Sequence, residues 1–312
     1  HSGSNLHRQQ NHSSPEECLA AMAQLGSLGT VAPDPDPSLE ARVAALRRLA
    51  SHDVVPAIQA VISLCNAGEE VKLTRKVAGP GRLVGYTKDV CLRFEPPQSN
   101  SPRVDEASVV FGAIAAGMPA ATWRGRSVVE LGCGVGYAGT VLAALGAHIV
   151  LLDSPQFEGL VTRSIVLNTP VIRSPASASF CAFDWAIPRL HEPACSAIRQ
   201  ASTIVACDPV VDGQSEQIFI SMLHAIMGMD GQPPICQQLE RLIVVHKHIQ
   251  SYCISGYVAP VAGARPAITD VDEIENCLFR RALEDAGFAV STWQHAPIGF
   301  EHPFIECWLL KP

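Results

Sequence analysis

The sequence predicts an α/β protein with a doubly wound, mostly parallel sheet, and three observations carry that prediction. From residue 109 onward, apolar runs of strand length alternate with longer segments whose apolar residues recur at helical spacing. At residues 130–136 a strand runs directly into ELGCGVG, a glycine turn that opens a helix. Near the carboxyl end, residues 288–293 and 304–310 read as strands that suit a closing antiparallel pair.

Residues 1–16 are polar and lack an apolar period, so a disordered tail is expected there. The chain opens on His1 rather than Met, and a trimmed start is expected. Residues 17–78 read as a helical N-terminal region. It comprises an apolar pattern through Leu19, Met22, Ala23 and Leu25, a helix with Leu39, Val43, Leu46 and Leu49 behind a Ser38 cap, and a segment over 54–64. Nothing in it is chemically pointed, so packing is its expected role, with a substrate-recognition appendage as the alternative. Residues 79–103 mix Gly, Pro and Ser with a strand-like piece at 90–94 and read as a hairpin or linker.

Residues 104–312 form the main domain. Helices are predicted over 109–118, 136–145, 157–167, 216–227 and 272–286. Strands are predicted over 127–131, 148–152, 179–183, 202–206 and 242–246, followed by the closing pair. Together they make seven strands.

With 312 residues, 47% of them hydrophobic, the chain can bury a large core. A net charge of -7 and a pI near 5.9 exclude a general attraction to phosphate backbones, so no nucleic-acid partner is expected. The basic stretches 42–48 and 72–76 are short, and read as solvated faces of helices. The 11 cysteines form no CxxC pair, which fits reduced thiols and a cytoplasmic, or alternatively nuclear, setting. No apolar run reaches the roughly 18 residues of a membrane span, so no membrane association is expected.

The glycine turn is the first candidate site. Glycine permits positive φ and close approach of a ligand, and the following helix N-terminus offers N–H groups to an anion. Gly132, Gly134 and Gly136 give GxGxG, but Tyr137 follows and the next glycine is Gly139, so a dinucleotide fingerprint is possible but not favoured. Asp153 ends the next strand, where a carboxylate can bind ribose hydroxyls. Asp184 and Trp185 end the third strand, where a carboxylate can accept from an adenine amino group and an indole can cover its ring.

At these motifs the chain resembles the class I, seven-β-strand S-adenosylmethionine-dependent methyltransferases, and within them the family 16 lysine methyltransferase-like group. ELGCGVG resembles that family's glycine motif, LLDSP its ribose-binding strand end, SIVLN ending at Asn168 its following helix, and FDW at 183–185 its adenine segment. The resemblance covers roughly residues 100–312 and implies a Rossmann-like fold with S-adenosylmethionine as cofactor. It places Glu130, Gly132, Cys133, Gly134 and Gly136 along the methionine part and Asp153 at the ribose. Asp184 and Trp185 would meet the adenine, and Ser154 and Cys207 complete the cofactor-binding set.

Methyl transfer from a sulfonium requires an aligned neutral nucleophile, and a lysine ammonium must first lose a proton. Asp208, in IVACDPVVD, is the candidate catalytic residue, with a turn or helix-cap role as its alternative. Two family features are replaced. Val211 stands where the family has Tyr, and the upstream Trp is absent, with Glu106 nearest its position. His246 and His248 share one strand face, but two histidines without a third ligand are read as a strand end, and no metal is expected. Residues 251–266 are long enough to cover a cleft, and disorder is an equal alternative. The expected function is methylation of a lysine on a protein. A histidine or small-molecule acceptor, or an inactive cofactor-binding module, stands as the alternative. A protein substrate and a monomer are expected.

Overall fold

The computed structural model describes residues 54–78, 85–96, 102–172, 175–189, 191–210, 213–247, 277–293 and 305–312. The expected tail, the two helices before residue 50, Val211, His248 and the segment 251–266 lie outside these residues. In chain order the elements are α1 (Val54–Asn66), β1 (Val71–Ala78), β2 (Gly85–Leu92), α2 (Glu106–Gly117), β3 (Ser127–Leu131), α3 (Tyr137–Ala144), β4 (His148–Asp153) and α4 (Glu158–Asn168). Then follow β5 (Ser177–Ala182), α5 (Glu192–Gln200), β6 (Thr203–Cys207), α6 (Gly213–Met227), β7 (Arg241–Lys247), α7 (Leu278–Asp285), β8 (Ala289–Thr292) and β9 (Ile305–Lys311).

Strand patterning decides the layers. Along β7, Leu242 and Val244 enter one apolar cluster while Ile243 and Val245 enter the other. A strand apolar at every position is therefore buried on both faces, as a helix-covered parallel sheet requires. One cluster joins the sheet to α2 and α3, and the other joins it to α5, α6 and α7.

The seven-stranded sheet has the order β5-β4-β3-β6-β7-β9-β8. The strands β5 to β7 run parallel, and β9 lies antiparallel to both β7 and β8. The chain winds outward from β3 through β4 to β5, then returns to place β6 on the other side of β3. At this reversal the crossovers diverge to opposite faces, which leaves a crevice beyond the carboxyl ends of β3 and β6.

The N-terminal elements share this core. Ile58, Val61 and Cys65 of α1 lie with Leu92 and Phe94 in the same apolar cluster as α2 and α3. The Phe94 ring lies 5.1 Å from that of Tyr137 on α3. Asn168, at the end of α4, fastens the arrangement. Its Oδ1 accepts the Arg93 N–H at 2.9 Å, and its Nδ2 donates to the Arg93 and Ser164 carbonyls. The Ser164 hydroxyl accepts the Glu95 N–H at 3.2 Å.

Two elements differ from the sequence expectation. Residues 72–76, read as helical, lie in β1, which pairs antiparallel with all of β2. In VKLTRKVA, apolar Val71, Leu73 and Val77 fall on alternate positions, the period of a strand. The helix α5, between β5 and β6, was not anticipated. It is short and polar, with Pro193 in its first turn, and buries only Ala194, Cys195 and Ile198. α2 begins three residues before its expected start, at Glu106, because the Asp105 carboxylate caps the Ser108 N–H at 2.8 Å. No helix among the described residues is long and apolar enough to cross a membrane. The cysteines among them are free thiols.

Candidate active site

The turn after β3 depends on glycine. Gly132, Gly134 and Gly136 take φ of +69°, +54° and +78°, a region that side chains penalise. The turn hangs on the end of β4. The Gly132 and Cys133 N–H groups donate to the Leu152 carbonyl at 2.9 and 3.2 Å, and the Gly134 N–H donates to Asp153 Oδ2 at 2.7 Å. Asp153 Oδ1 accepts the Ser154 N–H at 2.7 Å. Burial raises the Asp153 carboxyl above its ordinary range, against the pull of these two donors.

Gly139 lets α3 press onto the sheet. A Cβ there would lie 2.3 Å from Leu151 Cδ2 and 2.6 Å from Glu130 Oε2. The close packing that a dinucleotide fingerprint assigns to its last glycine thus falls to Gly139.

Glu130 is 1% exposed and its Oε2 accepts the Gly139 N–H at 2.7 Å. Its Oε1 is buried with no hydrogen-bond partner among the described residues. Burial pushes the carboxyl up to about 8; the Gly139 donor opposes this, while the charges of Asp105 and Asp153 add to it. A buried oxygen left without a donor costs about 1–3 kcal/mol, so the site is built to receive one. The ammonium of an amino-acid moiety fits that need, and the glycine turn leaves the backbone open to close approach. These features fit S-adenosylmethionine.

Asp184 and Trp185 behave differently from one another. Asp184 is exposed, and its Oδ1 accepts the Ala186 N–H at 2.9 Å, closing a local turn. The half-buried Trp185 indole lies over the glycine turn. Its Cζ2 is 2.7 Å from where a Gly132 Cβ would sit, and its ring is 5.5 Å from Phe219 on α6. Only glycine fits beneath it.

On the far side of the crevice, buried Cys207 ends β6. Its thiol is held well above its ordinary range by burial, with Glu130, Asp105 and Cys307 adding to the effect. Asp208 follows at φ +45°, the only non-glycine residue with positive φ among those described. It also precedes Pro209, which disfavours helical conformations at the preceding residue. Its N–H donates to the Val245 carbonyl at 2.7 Å, which fixes the backbone in this conformation. Its Oδ1 accepts the Lys247 N–H at 3.4 Å and lies 3.8 Å from His246 Nδ1. His246 is 4% exposed, with its ring 5.1 Å from those of both Phe279 and Trp308. No group of three metal-ligating side chains forms among the described residues.

The segment entering α2 borders the same crevice. Pro102 Cβ lies 3.7 Å from a Cβ built on Gly134. Glu106, nearest the missing family Trp, pairs with the Lys247 ammonium. Burial lowers the Lys247 pKa, but the Glu106 hydrogen bond and charge, with Asp208 and Asp105, raise it overall.

Glu130, Gly132, Cys133, Gly134, Gly136, Asp153, Ser154, Cys207 and Asp208 thus gather along the carboxyl edge of β3, β4 and β6. Trp185 reaches that edge, while Asp184 is exposed in its own turn. The sequence shows Gly139 but not its packing role, and it does not show the Glu106–Lys247 pair. The former was visible as a further glycine one helical turn beyond the motif; the latter depends on where α2 starts relative to β7.

Residues 102–248 match a family model described as lysine methyltransferase. A curated relative, EEF1A lysine methyltransferase 3 of Xenopus tropicalis, is 29% identical over 71 residues. That match spans 30% of the relative's length and 23% of this chain. Among solved structures, the chain is similar to magnesium protoporphyrin IX methyltransferase from Synechocystis PCC 6803 with bound SAH. The TM-score is 0.37 at 20% identity, covering 65% of this chain and 80% of that one. It is also similar to the Pyrococcus abyssi tRNA (uracil-54, C5)-methyltransferase in complex with S-adenosyl-L-homocysteine. There the TM-score is 0.38 at 13% identity, covering 71% of this chain and 42% of that one. At TM-scores this low, neither structure bears on the substrate. The family match rests on the segment that holds the glycine turn, the acidic strand end and Asp208. Along residues 102–248 the chain is similar to the family described as lysine methyltransferase.

Proposed function

We propose that this enzyme methylates a lysine side chain on a protein, with Asp208 orienting the acceptor amine. The description of the matching family and the name of the curated relative both support a lysine acceptor. The net charge of -7 suits a basic protein target. The observation that carries the role of Asp208 is its backbone. A non-glycine residue held at φ +45° before a proline stores strain of about 1–3 kcal/mol, and such strain persists where the surroundings impose it.

S-adenosylmethionine, when bound, supplies a methyl group already activated on a sulfonium. Glu130 Oε1 would accept from the ammonium of its methionine part and the Asp153 carboxylate from ribose hydroxyls, with Trp185 offering an apolar face near the turn. Asp208 would accept a hydrogen bond from the neutral acceptor amine and direct its lone pair toward the methyl. The free thiols support a reducing cytoplasmic or nuclear setting, and we take the monomer as the working unit.

Incubating the enzyme with methyl-labelled S-adenosylmethionine and cell extract, then hydrolysing the protein fraction, tests this reading. Label is expected in methyl-lysine, falling about 100-fold with Asp208→Asn. Recovery as methyl-histidine, or only in low-molecular-weight material, would overturn the lysine assignment.

A further inference from the structure

The pairing of Glu106 with Lys247 joins the first residue of α2 to the last residue of β7. Lys247 also donates its backbone N–H to Asp208 Oδ1. Its ammonium therefore belongs to a compact charged group that includes Asp105 and Glu106 from the start of α2 and Asp208 from the end of β6. The group adjoins the cofactor crevice through Asp208, which follows the end of β6, and through the segment entering α2, whose Pro102 Cβ lies 3.7 Å from a Cβ built on Gly134. His246, beside Lys247 on β7 and opposite Glu306 on β9, is enclosed by Phe279 and Trp308.

We propose that the Glu106–Lys247 pair sets the charge met by the cofactor's sulfonium, with Lys247 as the positioning residue that offsets the carboxylates at the methyl-transfer end. This rests on Asp208 marking that end, the reading given under Proposed function. Methyl transfer converts a cationic donor into a neutral product. An excess of carboxylates at this position would hold the donor too firmly relative to the product, and an excess of cations would repel it. With the pair intact, Glu106 and Lys247 cancel, which leaves Asp105 and Asp208 as the group's other carboxylates. Lys247 thereby tunes the preference for donor over product without touching either ligand's adenosine.

The test compares calorimetric dissociation constants for S-adenosylmethionine and S-adenosylhomocysteine, two ligands that differ in the sulfonium charge. Lys247→Met removes a cation and is expected to raise the ratio Kd(homocysteine form)/Kd(methionine form) by about threefold or more. Glu106→Gln removes an anion and is expected to lower it by a similar factor, while Lys247→Arg keeps the wild-type ratio. A pair that only fastened α2 to β7 would weaken both ligands equally. An unchanged ratio in the Met and Gln variants, or a shift in the same direction in both, would overturn the proposal. The opposite-signed Glu106→Gln measurement keeps the test decisive should Lys247→Met fold poorly. Failure of wild-type protein to bind either ligand would instead overturn the cofactor reading beneath it.

Discussion

The Asp153 carboxylate accepts the Gly134 N–H at 2.7 Å, so the end of one strand holds the turn that leaves its neighbour. The residue expected to meet a ribose also braces the loop expected to meet the methionine part. Asp153→Ala should therefore reduce S-adenosylhomocysteine affinity by more than one lost hydrogen bond, about 100-fold, since turn and ribose contact fail together. Titration calorimetry measures it. A loss under fivefold would show that Asp153 does not organise the site.

Gly139 has no room for a methyl group. Gly139→Ala would drive a Cβ to 2.3 Å from Leu151 and 2.6 Å from Glu130, and overpacking of this kind costs about 1–3 kcal/mol. Urea denaturation should show a loss in that range. An unchanged midpoint would mean that α3 moves freely off the sheet.

Asn168 pairs with the backbone of Arg93 through both ends of its amide. Asn168→Ala strands two backbone groups and should cost about 2–3 kcal/mol. Hydrogen exchange should rise first at Arg93, Phe94 and Glu95, ahead of the seven-stranded sheet. Uniform destabilisation without this local signature would contradict the clamp.

Glu130 gives the protein a pH dependence of definite sign. Its folded pKa is raised to about 8 from an ordinary 4.5, so the native state binds more protons than the unfolded chain between these values. Stability from this group is full below about 4.5 and is lost progressively as pH rises toward 8. Relative to Glu130→Gln, wild-type protein should lose stability across that window, on the order of a few kcal/mol. Parallel stability curves for the two proteins, measured by denaturant titration, would contradict it.

The sheet was legible because its strands are apolar at consecutive positions and glycine punctuates the first crossover. The helix α5 was not, because nine residues with only three buried side chains carry little periodic signal. Likewise β1 hid behind Lys72, Arg75 and Lys76, whose charges drew attention away from the alternation around them. At the site, Glu130, Asp153 and Asp208 could be named because each lies at or beside the carboxyl end of a strand. What these carboxylates bind within the protein depends on register: Glu130 meets Gly139 through the helix approach, and Asp208 meets Lys247 through the neighbouring strand. Such pairings across elements leave no local mark in the chain.

Binding of S-adenosylmethionine in the crevice beside the glycine turn is measured by a thermal shift with S-adenosylhomocysteine. At a hundredfold excess over Kd, binding to the native state adds about 2.7 kcal/mol, a rise of several degrees in Tm. We predict that rise for the wild-type chain and its loss in Asp153→Ala. No shift at millimolar S-adenosylhomocysteine, with a shift from NAD in its place, would make the crevice a dinucleotide site instead.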